Sequence, residues 1–178
     1  GGEENLKCEW YNIQYNKWKN LADLPEERFK CNAIYDDDSD SIYLFGGFDS
    51  FDKINKSTIL RLSLISPGNW EYLLVQTSSQ IFLARNSFSL IRPNRNSILL
   101  IGGIGINNEK LDSIVEYNVN ENSANFSKKK LIMPSSFIQS GGCDFNRTMF
   151  YIFDDEFQIH IINNNNHNID TVNYTGIN

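Results

Sequence analysis

A chain of 178 residues with a formal net charge of −6 is long enough for one sizeable core and too short to argue for two. That acidity argues against docking on nucleic acid or anionic lipid, both of which need clustered Lys and Arg. No run approaches the roughly 18 consecutive apolar residues of a membrane-spanning helix, and the opening Gly1-Gly2-Glu3-Glu4-Asn5, without an initiator Met, forms no signal peptide.

Apolar residues at i, i+3, i+4 and i+7 are nearly absent, and short apolar runs take their place. Aromatic residues make up 13% of the chain, a share that suits strands. In chain order the predicted strands are Cys31–Tyr35, Ile42–Phe45, Thr58–Leu64, Trp70–Val75, Ser87–Ile91, Ser97–Ile101, Ser113–Tyr117, Phe126–Ile132, Met149–Phe153, Phe157–Ile162 and Thr171–Tyr174. Turn formers such as Asp36-Asp37-Asp38-Ser39-Asp40, Ser66-Pro67-Gly68-Asn69 and Pro93-Asn94-Arg95-Asn96 separate them, which is the signature of an all-β chain of many short strands.

The runs repeat. Ile42-Tyr43-Leu44-Phe45-Gly46-Gly47 returns 56 residues later as Ile98-Leu99-Leu100-Ile101-Gly102-Gly103. Phe150-Tyr151-Ile152-Phe153 follows after 52 more, with Asp154-Asp155 in place of the glycines, and Gly1-Gly2 lies 45 residues ahead of the first copy. After Gly1-Gly2 come Tyr11, Trp18, Leu21, Leu24-Pro25 and Arg28. The later units keep Trp70 and Arg85, then Tyr117, Phe126 and Met133-Pro134. A period near 50 with these landmarks in order resembles the kelch-repeat β-propeller family.

The resemblance implies an all-β fold, a kelch-type propeller segment of four-stranded antiparallel blades. Residues 1–28 form the outer half of a blade, 29–84 and 85–135 are two blades, and 136–178 is a degenerate last one. About three to four blades do not close a ring alone, so the rest is expected from the same longer chain or from a second chain. Tyr11, Tyr117, Trp18 and Trp70 are expected to be buried between blades. On that reading Trp18→Ala costs about 3 to 5 kcal/mol.

No residue set carries catalysis. His160 sits in an apolar strand and His167 in an Asn-rich loop; Cys8, Cys31 and Cys143 are widely spaced, without a CxxC pair, and fit a reducing compartment. Cys143, after Gly141-Gly142, has no His nearby to activate it and reads as a small core or loop residue. Asp36, Asp38 and Asp40 alternate like the start of a calcium loop but lack its Gly and closing Glu, and Asp154-Asp155-Glu156 reads as a polar turn. Gly102-Gly103-Ile104-Gly105 lacks the Lys of a phosphate loop. Lys128-Lys129-Lys130 reads as a solvated strand edge. Four sequons, at Asn55, Asn125, Asn146 and Asn173, match the roughly three that chance would place in so Asn-rich a chain.

Propellers bind through loops at blade ends. The resemblance therefore implies a non-catalytic, cytoplasmic protein-interaction scaffold with no cofactor and no metal, engaging a protein partner and neither nucleic acid nor membrane. Its expected contact residues are Phe48, Asp49, Phe51 and Asp52 in the loop Phe48–Lys56, and Asn107 and Asn108 in the loop Ile104–Lys110. The other expectation is an accessory or substrate-recognition propeller of a larger enzyme, a kelch phosphatase or a ubiquitin-ligase adaptor.

Overall fold

The computed structural model describes residues 5–66, 68–79, 83–126, 139–145, 148–154, 158–163, 165 and 168–173. Among these every regular element is a strand, and no helix is long and apolar enough to cross a membrane.

The chain builds antiparallel sheets one after another. A hairpin of β1 (Glu9–Asn12) and β2 (Lys17–Asn20) comes first. The first four-stranded sheet follows, β3 (Asn32–Asp36), β4 (Ser41–Phe45), β7 (Ile59–Ser63) and β8 (Glu71–Leu73), each strand pairing with the next. Between β4 and β7 the loop folds into its own small pair, β5 (Phe48–Asp49) and β6 (Ile54–Asn55). The second sheet has the same meander, β10 (Ser89–Asn94), β11 (Ser97–Ile101), β12 (Ile114–Asn118) and β13 (Ser123–Phe126). Its outer edge is covered by β9 (Gln76–Thr77), a piece of the preceding connection that pairs in parallel with β13. The third sheet is β14 (Gln139–Phe145), β15 (Met149–Asp154), β16 (Gln158–Asn163) and β17 (Asn168–Asn173).

Alternation along each strand sends side chains to both faces, and both faces are apolar, so the sheets stack. Tyr43, Phe45 and Ile59 of the first sheet share a buried cluster with Ile98, Leu100, Val115 and Tyr117 of the second. Leu99, Ile101 and Ile114, on the second sheet's opposite face, pack with Phe150, Ile152 and Ile162 of the third. The first sheet's opposite face, Leu44 and Leu60, is covered by Leu24 with Cys8, Cys31 and Trp70 around it.

Two devices recur along the chain, the first of them with the sequence period. The first is a buried arginine. Arg28 donates to the carbonyls of Gly46 (3.1 Å) and Thr58 (2.7 Å), and Arg85, 57 residues on, donates to those of Gly102 (2.9 Å) and Ser113 (3.3 Å). Each guanidinium thereby joins the end of a second strand to the approach of the third. The glycines permit the join: Gly46 and Gly47 have φ of 56° and 98°, Gly102 and Gly103 of 63° and 97°, a region that side chains with a Cβ disfavour. A Cβ on Gly103 would stand 2.6 Å from the Asn86 carbonyl oxygen and 2.8 Å from Phe88 Cβ. The second device closes hairpins. The Tyr117 hydroxyl donates to Asn122 Oδ1 at 3.0 Å, the Tyr35 hydroxyl to Asp40 at 2.8 Å, and that of Tyr11 to Asn16. In all three the acceptor lies five residues on, at φ between 45° and 49°, where Asn and Asp are best tolerated.

Several expectations need correction. Trp18 is 66% exposed and Tyr11 lies beside it, ring centroids 4.9 Å apart, on a hairpin face left open to solvent. Trp70 is half-buried and donates from its indole to the Ala22 carbonyl at 3.0 Å; only Tyr117, 1% exposed, is fully enclosed. Pro93 and Asn94 belong to β10 and not to a turn. β14 runs through Gly141-Gly142-Cys143, so this glycine pair lies inside a strand. The fourth strand of the second sheet begins at Ser123 and not at Phe126. Lys128–Lys130, Asp155-Glu156 and His167 lie outside the described residues.

Tyr117→Ala should therefore cost about 3 to 5 kcal/mol in denaturant unfolding, while Trp18→Ala should stay within about 1 kcal/mol of wild type. Gly103→Ala combines a strained backbone with a clash against fixed atoms, and should cost about 2 to 4 kcal/mol; a wild-type unfolding midpoint for it would refute the close approach described above.

Candidate binding surface

The loops that follow β4 and β11 emerge at the same end of adjacent sheets, and one side chain fastens them together. Asn55, on β6, donates to the carbonyls of Ile104 (3.1 Å) and Gly105 (2.7 Å) in the second loop. Its own Oδ1 accepts from Asn86 Nδ2 at 2.7 Å. The Asn86 backbone in turn brackets Ile104, with N–H···O distances of 3.1 and 2.8 Å in the two directions. A carboxamide suits this place because it donates and accepts at once.

Beneath the first loop lies a compact ionic network. Lys56 Nζ reaches Asp49 at 2.8 Å and Glu26 at 3.0 Å, and Glu26 also holds Arg28 at 2.5 Å. Arg28 is fully buried, and the Lys56, Asp49 and Glu26 side chains are largely shielded. Asp49 Oδ1 accepts from the backbone N–H of Phe51 and of Asp52, each at 3.0 Å, and so caps the turn of the loop. Ser50 Oγ donates to Glu27 at 2.6 Å.

The charges shift one another. The hydrogen bond from Lys56, helped by the Asp52 and Phe51 amides, holds the Asp49 carboxyl below its ordinary range. Desolvation pushes Glu26 up, but hydrogen bonding to Lys56 and the charge of Arg28 outweigh it and the net shift is downward. Burial likewise works against the Lys56 ammonium, and its bonds to Asp49 and Glu26 outweigh that, raising its pKa.

The second loop is tied internally. Gly105 N–H donates to the Glu109 carbonyl at 2.9 Å, Asn107 N–H to Glu109 Oε2 at 2.8 Å, and Asn108, at φ 62°, donates to the Gly105 carbonyl at 3.2 Å. Beside it a cleft of about 200 Å³ opens between Ile106, Asn107, Phe126 and the edge of Arg85.

Of the six residues that the sequence singles out, two serve the scaffold. The Phe48 ring stands edge-on to Phe29 at 5.4 Å, where the two backbones also form a bridge, and Asp49 is buried in the ionic network. Phe51 is 90% exposed, and Asp52, Asn107 and Asn108 are exposed too. The structure thus sets these four on neighbouring loops joined by Asn55. Nothing in the repeat marks Asn55 in advance, because the corresponding bridge of the second unit, Ile104 to Lys110, carries a lysine at that place.

The other polar groups are structural in their geometry. Arg92 on β10 meets Asp36 (2.5 Å), Asp37 (2.8 Å) and Asp38 (3.2 Å). The acidic cluster that resembles the start of a calcium loop thus has its charge met by a guanidinium. Asp40, the third member of that pattern, accepts instead from Tyr35. His160 is buried on β16 with Nδ1 3.1 Å from Thr171 Oγ1. Burial pushes the Cys31 thiol pKa up, the wrong direction for a nucleophile.

Because the carboxyls of Glu26 and Asp49 are depressed in the folded state, the stability they confer is complete above their ordinary values near 4 and is lost as pH falls through the lower, folded ones. Lys56, shifted upward, keeps its contribution across neutral pH and loses it only in strong base. Thermal melts between pH 7 and 2 should show a steep acid limb in the wild type that is shallower in Lys56→Met; superimposable acid limbs would refute the network.

Comparison with protein-family models finds no match for this chain, and comparison with curated proteins finds none either.

Proposed function

We propose that the chain is a segment of a kelch-type propeller acting as a non-catalytic protein-interaction scaffold, and that it meets its partner through the paired loops after β4 and β11. The observation that carries this reading is the Asn55 clamp, which holds both loops side by side while Phe51, almost wholly in solvent, projects from them. A large aromatic side chain on a loop that is internally capped and cross-tied is preorganised for contact, so docking forfeits little conformational entropy. Asp52, Asn107 and Asn108 around it supply polar groups for a rim. The propeller assignment draws support from the recurrence of the buried arginine and the glycine pair at the sequence period.

The test replaces only exposed groups. A variant with Phe51→Ala, Asp52→Ala, Asn107→Ala and Asn108→Gly leaves the clamp, the ionic network and the left-handed backbone at position 108 in place, so its melting temperature should match wild type. Proximity labelling in the source cell should then lose the principal partners that the wild type labels. An unchanged partner set on a folded variant would overturn the reading.

A further inference from the structure

Apolar packing brings two thiols to one seam. The first sheet turns Leu44 and Leu60 toward the opening segment, Leu24 of that segment covers them, and Cys8 and Cys31 both pack against these three leucines. Cys8 is the residue before β1 and Cys31 the residue before β3, so the pair straddles the junction between the opening hairpin and the first sheet.

Backbone contacts fix each cysteine in place. Leu24 N–H donates to the Leu6 carbonyl and Leu21 N–H to the Cys8 carbonyl, both at 2.8 Å, which lays the segment carrying Cys8 along the one carrying Leu24. On the other side of the seam, a Cβ on Gly47 would stand 2.9 Å from Cys31 Cβ, so Cys31 abuts the glycine pair that follows β4. Each thiol donates to a carbonyl of its own segment, Cys8 Sγ to Leu6 at 3.7 Å and Cys31 Sγ to Arg28 at 3.5 Å. Thiols are weak donors, so turning either sulfur out of such a bond costs little. Both side chains are partly exposed. Burial pushes the Cys31 pKa up against the charge of Arg28, and a charge on Cys8 adds to the rise; the two sulfurs are within each other's field.

We propose that Cys8 and Cys31 form a modification site, at which a peroxide oxidises the pair to a disulfide that fastens the opening hairpin to the first sheet. The Cys8 thiolate attacks one peroxide oxygen and the O–O bond breaks. With hydrogen peroxide the departing hydroxide takes up the proton that Cys8 released and leaves as water, and Cys8 is left as a sulfenic acid. The Cys31 sulfur then attacks the Cys8 sulfur: the S–S bond forms, the S–O bond breaks, and the hydroxide carries off the Cys31 proton as a second water. The two sulfurs give up two electrons and the peroxide takes them.

The order of the steps follows from the surroundings. Burial works against a thiolate at Cys31, so Cys8 reacts with the oxidant and Cys31 resolves it, its raised pKa offset by being held beside the sulfur it attacks. The bridge closes the chain between residues 8 and 31, which restricts the unfolded ensemble more than the folded one. A reducing compartment keeps the pair open, so the link registers oxidation and is not needed to build the fold. The inference is independent of the loop reading above, since Phe51, Asp52, Asn107 and Asn108 take no part in it.

The test treats the native 178-residue chain with a small excess of hydrogen peroxide, alkylates it and maps its peptides. The map should show Cys8 joined to Cys31, lighter by two hydrogens, with Cys143, which lies on β14 of the third sheet, still alkylated. The oxidised chain should melt about 5 to 10 °C above the reduced one, and dithiothreitol should reverse the shift. Cys8→Ser and Cys31→Ser should each abolish it; in Cys31→Ser the reaction should stop at a Cys8 sulfenic acid that dimedone traps, and in Cys8→Ser dimedone should label nothing at residue 31. The wild-type map decides the pairing whether or not the serine variants fold. Peroxide-treated protein in which both thiols, or Cys31 alone, can still be alkylated overturns the inference. So does a bridge that runs to Cys143, or one that lowers the melting temperature.

Discussion

The arrangement turns on an arginine placed where burial would ordinarily forbid one. Arg28 and Arg85 are 0% and 1% exposed, and desolvation is severe enough to push the Arg85 pKa down to about 10. A buried guanidinium is tolerated when fixed acceptors meet its donors. Here the acceptors are the carbonyls at the ends of strands, Gly46 and Thr58 in one case and Gly102 and Ser113 in the other. The consequence is geometric. With the exit of the second strand and the approach of the third both bound to one planar group, the loop between them starts and finishes at fixed points, and its tip is the part left to vary.

The third unit is the informative exception. It carries Asp154-Asp155 where the glycines would be, and the sequence has no arginine between Arg95 and Arg147. Glycine pair and arginine are absent together, as expected if the guanidinium needs the unusual backbone of the glycines to reach its acceptors. The four-stranded meander persists without them. Strand pairing and sheet stacking are thus separable from the arginine, whose work is confined to the loop end.

Much of this was legible in the residues and some of it was not, for physical reasons. The period, the strands from Ile42 and Ser97, and the all-β class follow from apolar runs and turn formers that act locally. The landmarks Arg28 and Arg85 mark the repeat, but their bonding to glycine carbonyls depends on contacts across 17 or more residues. Tyr11 and Trp18 look like core residues because their type and spacing match the core; their exposure is set by what covers the hairpin, which no local pattern encodes. Gly141-Gly142-Cys143 carries no strand signal of its own, and the pairing of β14 with β15 is what makes it strand. At the loops the sequence marked the exposed tip, Phe51 and Asp52, and missed the clamp, since Asn55 is one asparagine among many until its two carbonyl partners come within reach.

Electrostatics divides the molecule's ends in a similar way. At one end Arg92 crosses from β10 to the acidic turn after β3; at the other, Lys56 gathers Glu26 and Asp49. A chain with net negative charge thus spends several of its cations on holding turns to sheets, which leaves the strands themselves free to be apolar on both faces.

Asn55 carries one more implication, because Asn55-Lys56-Ser57 is also an acceptor sequence for N-linked sugar. The nitrogen that a glycan would need is the one that donates to Ile104 and Gly105. Oligosaccharide on that atom removes a donor and inserts bulk between two loops that touch. Folding and glycosylation at this asparagine therefore compete for a single atom, and a chain that has closed its loops has withdrawn the site from the enzyme that would modify it.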